Sequence, residues 1–212
     1  MGRLRKTTKI WRSSVRLSPL VDREDYFSIE PSSLFGREAP LEVELGAGRG
    51  EFILARAGAL PDRNFLAVEL SLPLARLIAR RAADLKLPNL HIVRADARST
   101  VNLFLPSASV STYHIYFPDP WPKARHVKRR LFSPSFTANL RRTMVPGGLL
   151  HVATDVPQYA ESIFAMIEAQ GLTASGHCGE LLPSGFARKF IAAGRPIYFR
   201  SFTKPAGSEG ED

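Results

Sequence analysis

In Leu41-Glu42-Val43-Glu44-Leu45 apolar and acidic residues alternate with a period of two, which predicts a strand. Residues 51–59 follow with helical spacing. Phe65–Leu70 predicts a second strand. Residues 72–86 predict a helix with Leu74, Leu77, Ile78 and Leu85 on one face. His91–Ala95 and Tyr113–Phe117 predict a third and fourth strand. A helix over 134–144 should stop at Pro146-Gly147-Gly148, and Leu149–Thr154 predicts a fifth strand. A last helix over 157–170 is closed by Gly171. Strands alternating with helices predict an α/β fold, a doubly wound and mostly parallel sheet with helices on both faces. Pro196–Phe202 is rich in β-formers, and an antiparallel pairing with a strand around Leu172–Gly176 is expected near the C-terminus.

The ends of the chain lack this pattern. Residues 1–18 carry Arg3, Arg5, Lys6, Lys9, Arg12 and Arg16 among few apolar residues, the composition of a mobile basic arm. Residues 19–204 are expected to form a single domain, and residues 205–212 a disordered acidic tail. No apolar run has the length of a membrane span, and no apolar signal core follows the basic N-terminus. A cytoplasmic protein without membrane association is expected. The lone Cys178 excludes an internal disulfide and a cysteine-cluster metal site, and no His/Cys/carboxylate set suggests a metal. The net charge of +9 favours an anionic partner, nucleic acid ahead of an anionic membrane surface. Composition leaves monomer and homodimer equally open.

Glu44-Leu45-Gly46-Ala47-Gly48-Arg49-Gly50 joins the first strand to the first helix. Gly46, Gly48 and Gly50 permit a tight turn and let a ligand approach the backbone, at the carboxyl end of a strand where open α/β sheets bind ligands. The G-x-G-x-G spacing differs from the G-x-G-x-x-G of dinucleotide binders and disfavours a nicotinamide dehydrogenase. Glu44 would repel a pyrophosphate but attract a cationic ligand such as a sulfonium with its α-amino group. Glu69 ends the second strand about 20 residues past the loop, where an acid can accept both ribose hydroxyls. Asp96, with Ala97 after it, ends the third strand. It either faces an adenine amino group or caps the short segment that follows.

Phe117-Pro118-Asp119-Pro120-Trp121-Pro122-Lys123 brings a carboxylate, an aromatic and a cation into one stiff, non-helical segment. The basic stretch Ala124-Arg125-His126-Val127-Lys128-Arg129-Arg130 follows. Lys123, Arg125, Lys128, Arg129 and Arg130 suit phosphates and the setting of register on RNA. Trp121 either stacks on a splayed base or anchors the loop. His91 and His151 lie within strands and read as packed core residues.

The E-x-G-x-G-x-G motif at 44–50, the strand-end acids Glu69 and Asp96, and above all F-P-D-P-W-x-K-x-R-H-x-K-R-R at 117–130 resemble the bacterial tRNA (guanine-N7)-methyltransferases. Ala153-Thr154-Asp155 at the end of the fifth strand fits the same pattern. The resemblance spans about residues 40–200 and implies a Rossmann-like class I methyltransferase fold. It also implies S-adenosylmethionine as methyl donor and the guanosine at position 46 in the tRNA variable loop as substrate. By motif position, Glu44, Gly46, Gly48, Gly50, Glu69, Asp96, Ala97 and Asp119 would line the cofactor site, with Asp119 as the catalytic acid. Lys123 and Asp155 would contact the substrate, and Ala124, Arg125, His126, Val127, Lys128 and Arg129 would touch RNA. The family's T-x-[FY]-E element aligns with Ser184-Gly185-Phe186-Ala187. Ser184 keeps a hydroxyl for substrate contact, whereas Ala187 has no carboxylate.

Guanine N7 carries an in-plane lone pair and no proton, so transfer to it needs positioning rather than a strong base. A carboxylate such as Asp119 or Asp155 can accept from guanine N1–H and N2–H and stabilise the positive charge that methylation places on the ring. The alternatives are a methyltransferase of the same fold acting on another RNA, a protein or a small molecule, and a non-catalytic RNA-binding module. The basic loop opposes a small-molecule or protein substrate, and the retained glycines and Glu69 oppose the non-catalytic module.

Overall fold

Strand β2 (Leu41–Leu45) is buried at all five positions, although two of them are glutamates. The computed structural model describes residues 9–12, 30–176 and 191–206. The chain divides into two compact units, Met1–Leu105 and Pro106–Asp212.

In the first unit β2 pairs parallel with β3 (Asn64–Val68), and β3 pairs parallel with β4 (Leu90–Arg94). Parallel neighbours need crossovers. Helices α2 (Glu51–Ala59) and α3 (Leu72–Asp84) supply them. α3 buries Ala75, Ile78 and Ala82, one stripe at helical spacing, and β3 is buried throughout. Phe52, Ile53, Phe65, Leu66, Ile78, Leu90 and Ile92 form the core. Glu42, the second residue of β2, is held by Arg56 through two nitrogens and by Arg63 at 3.0 Å. Buried charge of this kind persists only when paired.

Strand β1 (Lys9–Arg12) lies antiparallel on the outer side of β4, with Lys9 opposite Arg94 and Arg12 opposite His91. Four residues of the segment expected to be a mobile arm are therefore strand. Pairing satisfies backbone groups that an open β4 edge would leave to water. The rest of 1–18 lies outside the described residues. Helix α1 (Pro31–Phe35) precedes β2, and α4 (Ala97–Ser99) with a π-helical turn at Thr100–Phe104 closes the unit.

In the second unit the strand order is β5 (Val110–Tyr116), β6 (Met144–Thr154), β8 (Tyr198–Thr203), β7 (Thr173–Ala174). β5 and β6 are parallel, and the β6–β8 and β8–β7 pairs are antiparallel. The expected pairing of the C-terminal strand with the region around Leu172–Gly176 is present as β7–β8. β6 begins at Met144, earlier than the glycine pair suggested, because Met144 already pairs with Val110. From that pair to Thr112↔Leu149, β5 advances two residues and β6 five, so Pro146-Gly147-Gly148 bulges out rather than ending the element.

Helix α5 (Pro134–Thr143) starts at Ser133, whose Oγ accepts from the Phe136 N–H, and α6 (Pro157–Glu168) follows β6. Tyr113, Phe136, Leu140, Val152, Tyr159, Ile163 and Phe202 make up the core of this unit. His151 is buried, as expected for a core residue, and stacks on His114 with ring centroids 5.3 Å apart. His91, in the first unit, is likewise buried, edge-on to Phe35.

Candidate functional site

The five residues between β2 and α2 form the glycine loop. The Gly46 and Ala47 N–H groups both donate to the Val68 carbonyl, at 2.9 and 3.1 Å, which ties the loop to the end of β3. Glu69 adds a second tie. Its Oε2 accepts from the Gly48 N–H at 2.8 Å and its Oε1 from the Ser71 N–H at 2.7 Å. Each carboxylate oxygen has two acceptor positions, so one on each remains beyond these bonds for a pair of hydroxyls. Gly50 has φ +75°, and a Cβ there would stand 2.8 Å from Ile78 Cγ1. Only glycine lets α3 approach so closely. Gly48 also has a positive φ, +56°, but beyond its two chain neighbours no atom of the described residues lies within 4 Å of its Cβ position. The loop therefore presents bare backbone to open space.

Glu44 is 5% exposed. Burial pushes its carboxyl pKa well above the usual carboxylate range; a backbone hydrogen bond with Ile53 works against that rise, and the nearby charge of Glu69 adds to it. Oε2 of Glu44 is buried with no hydrogen-bond partner among the described residues. An orphaned acceptor costs about 1–3 kcal/mol, a deficit that an ammonium or N–H donor would remove. Asp96 is exposed, and its Oδ1 accepts from the Ser99 N–H at 3.0 Å and lies 3.3 Å from Ser99 Oγ. The capping alternative is thus realised, through that one oxygen. Ala97 opens α4 and is half-exposed.

In the second unit β5 leads into Phe117, which has φ +52°, and Trp121 has φ +40°. Left-handed conformations at non-glycine residues cost about 1–3 kcal/mol each and are held by their surroundings. The Phe117 N–H donates to the Ala153 carbonyl at 2.7 Å. Asp119, between these two residues, is exposed. Lys123 is exposed and begins a helical turn at Ala124–Arg129 in which the His126 N–H donates to the Lys123 carbonyl. Arg125, Val127, Lys128 and Arg129 are exposed; His126 and Arg130 are half-buried.

Trp121 is engaged inside this loop, with the His126 ring edge-on at 5.6 Å and the Arg129 guanidinium 5.0 Å from its centroid. Those contacts match the anchor alternative for Trp121. Arg130 turns inward to the Pro120 carbonyl and the Tyr159 ring. Asp155, at the end of β6, is 16% exposed and ion-paired with Arg195 at 3.0 Å. No local signal marked Arg195 or Tyr159, because each reaches its partner from another element of the chain. Ser184 and Ala187 lie outside the described residues. Among the described residues no group of three or more His, Cys, Asp and Glu could hold a metal ion, and no helix is long and apolar enough to cross a membrane.

The fold is that of the class I methyltransferases, with a mostly parallel sheet and antiparallel C-terminal strands. The crystal structure of the aminoglycoside resistance methyltransferase NpmB1 matches with a TM-score of 0.61 at 17% identity, covering 93% of this chain and 100% of that one. Sequence narrows the class. A family model described as "Putative methyltransferase" matches residues 38–189. The tRNA (guanine-N(7)-)-methyltransferase of Halorhodospira halophila is 42% identical over 149 residues, 70% of this chain and 64% of that protein. The protein of the same name from Polaromonas sp. strain JS666 is 36% identical over 183 residues, 82% and 74% of the two chains. The chain belongs to the tRNA (guanine-N(7)-)-methyltransferase family. It spans about three fifths of the length of several curated relatives it matches.

Proposed function

We propose that this chain methylates N7 of the variable-loop guanosine, position 46, of tRNA in the cytoplasm. The observation that carries the reading is the segment at 117–130, where an exposed carboxylate on a stiff turn is followed directly by exposed Lys123, Arg125 and Lys128. The names of the relatives, tRNA (guanine-N(7)-)-methyltransferase, support tRNA and guanine N7 as the target.

Bound S-adenosylmethionine supplies an electrophilic methyl group on a sulfonium centre. The residues of the glycine loop fit it. Glu44 offers its orphaned Oε2 to an ammonium group, and a cation there restores the carboxylate that burial disfavours. Glu69 keeps acceptor positions for ribose hydroxyls while its other lone pairs hold Gly48 and Ser71. Gly46 and Gly48 leave room for close approach of a ligand to the backbone. Asp96 and Ala97 take the adenine end, and the family motif adds Asp119 to this set.

N7 attacks with its own lone pair, so none of these side chains needs to remove a proton. Asp119 and Asp155 are assigned to the guanine, where a carboxylate can accept from N1–H and N2–H and stabilise the cationic ring as it forms. Orientation of the two reactants is the main contribution, worth about 7–11 kcal/mol in favourable cases. Lys123 and Ser184 complete the substrate contacts, and residues 124–129 hold the RNA.

The test is methyl transfer from labelled donor to tRNA, repeated with the variable-loop guanosine replaced by 7-deazaguanosine. Transfer should disappear with the modified tRNA. Undiminished transfer would exclude N7 chemistry at that nucleoside.

A further inference from the structure

We infer that Arg130 is a positioning residue for Asp119, clasped between the Pro120 carbonyl and the Tyr159 ring, and does not hold an RNA phosphate. This rests on the reading that Asp119 orients the guanine. The turn that carries Asp119 has little means of bracing itself. Pro118 and Pro120 lack N–H groups, and the residues bounding the turn, Phe117 and Trp121, are both in the left-handed region. One end is fixed by the Phe117 N–H on the Ala153 carbonyl. The other end is fixed by Arg130, whose Nε donates to the Pro120 carbonyl at 2.7 Å.

Arg130 is in turn seated on a rigid element. Its guanidinium carbon lies 4.9 Å from the centroid of the Tyr159 ring, and Tyr159 is 1% exposed in the first turn of α6. A planar guanidinium can donate along its edge and stack with its face at once. A lysine ammonium cannot do both. Arg130 is half-buried where Lys123, Arg125 and Lys128 are exposed, so the basic run divides by direction. Arg129 is exposed as well, over the Trp121 ring, and Arg130 alone of the five cations turns to the Pro120 carbonyl.

The two roles separate in kinetics. A phosphate contact contributes to tRNA affinity and to its salt dependence. A brace for Asp119 contributes to turnover, where a misplacement of about 1 Å can cost about a hundredfold. Arg130→Lys should therefore lower kcat about ten- to a hundredfold, with the tRNA Kd and its salt slope within about twofold of wild type. Tyr159→Leu should act in the same direction, and Tyr159→Phe, which keeps the ring, should not. Arg125→Gln should show the phosphate-contact signature instead, a raised Kd and a flatter salt slope.

Limited trypsin digestion of the free protein supplies a readout that needs no activity: cleavage after Lys123 and Arg125 should accelerate in Arg130→Lys, with fragments identified by mass. A raised Kd with a shallower slope and intact kcat in Arg130→Lys would overturn the inference, as would unchanged cleavage. A wild-type protein that transfers no methyl group to tRNA would defeat the functional reading instead, and the digestion would still decide the clasp.

Discussion

Glu44 is the residue whose structural cost and proposed task are most clearly opposed. Its folded-state pKa lies above the ordinary value of 4.5 because burial penalises the charge. A raised folded pKa means that its contribution to stability is fully present below about pH 4.5 and is lost as pH rises through the raised value. Glu44→Gln keeps an acceptor for Ile53 and removes the ionisation. The ligand-free variant should be more stable than wild type at pH 8, by about 1–2 kcal/mol, and close to it near pH 4. S-adenosylmethionine affinity should fall at the same time. Thermal unfolding at both pH values with a cofactor titration checks this, and an unchanged or lower Tm at pH 8 counters it. At this scale the motif residues were legible because each belongs to a short, local pattern. Inward-turned Arg130 and the Arg195 partner of Asp155 were not, since their contacts lie 10 and 40 residues away along the chain.

Among elements, the approach of α3 to the glycine loop sets the tightest condition. Gly50→Ala would put a methyl group 2.8 Å from Ile78 Cγ1 at φ +75°. The expected loss is about 2–4 kcal/mol, the sum of left-handed strain and overpacking. Denaturant unfolding should show it, and in an Ile78→Ala background, which lacks both γ carbons that the new methyl group would meet, Gly50→Ala should cost less than in wild type but still carry the left-handed strain. Helix and strand positions followed well from periodicity in the regions of strong amphipathic pattern. Three features did not. Strand β1 gains its place from the unpaired edge of β4, β6 starts early because Met144 pairs across to Val110, and α1 is too short for a periodic signal. The first two were decided by partners distant in sequence.

At the scale of the whole molecule the relevant quantity is charge. A chain of net charge +9 with exposed Lys123, Arg125 and Lys128 beside the Asp119 turn should bind tRNA with strong salt dependence. Those three cations alone predict a slope of about −2 to −3 in log K against log salt. Replacing all three by Gln should remove about that much of the slope, and an unaltered slope would place the phosphate contacts elsewhere. The sequence by itself determined the α/β alternation, the glycine loop, the strand-end acids and the basic run, because each is written in neighbouring residues whose local physics favours one backbone path. Only the tertiary structure decided how those residues are used. It buried Glu44 with no hydrogen-bond partner for Oε2 among the described residues and set Glu69 to hold the loop with part of its acceptor capacity. It also turned Arg130 away from solvent while leaving Lys123, Arg125, Lys128 and Arg129 exposed. Burial and direction depend on what other segments bring alongside a residue, which is why the Phe117–Arg130 segment could be recognised in the chain while its internal clasp could be seen only once it was folded.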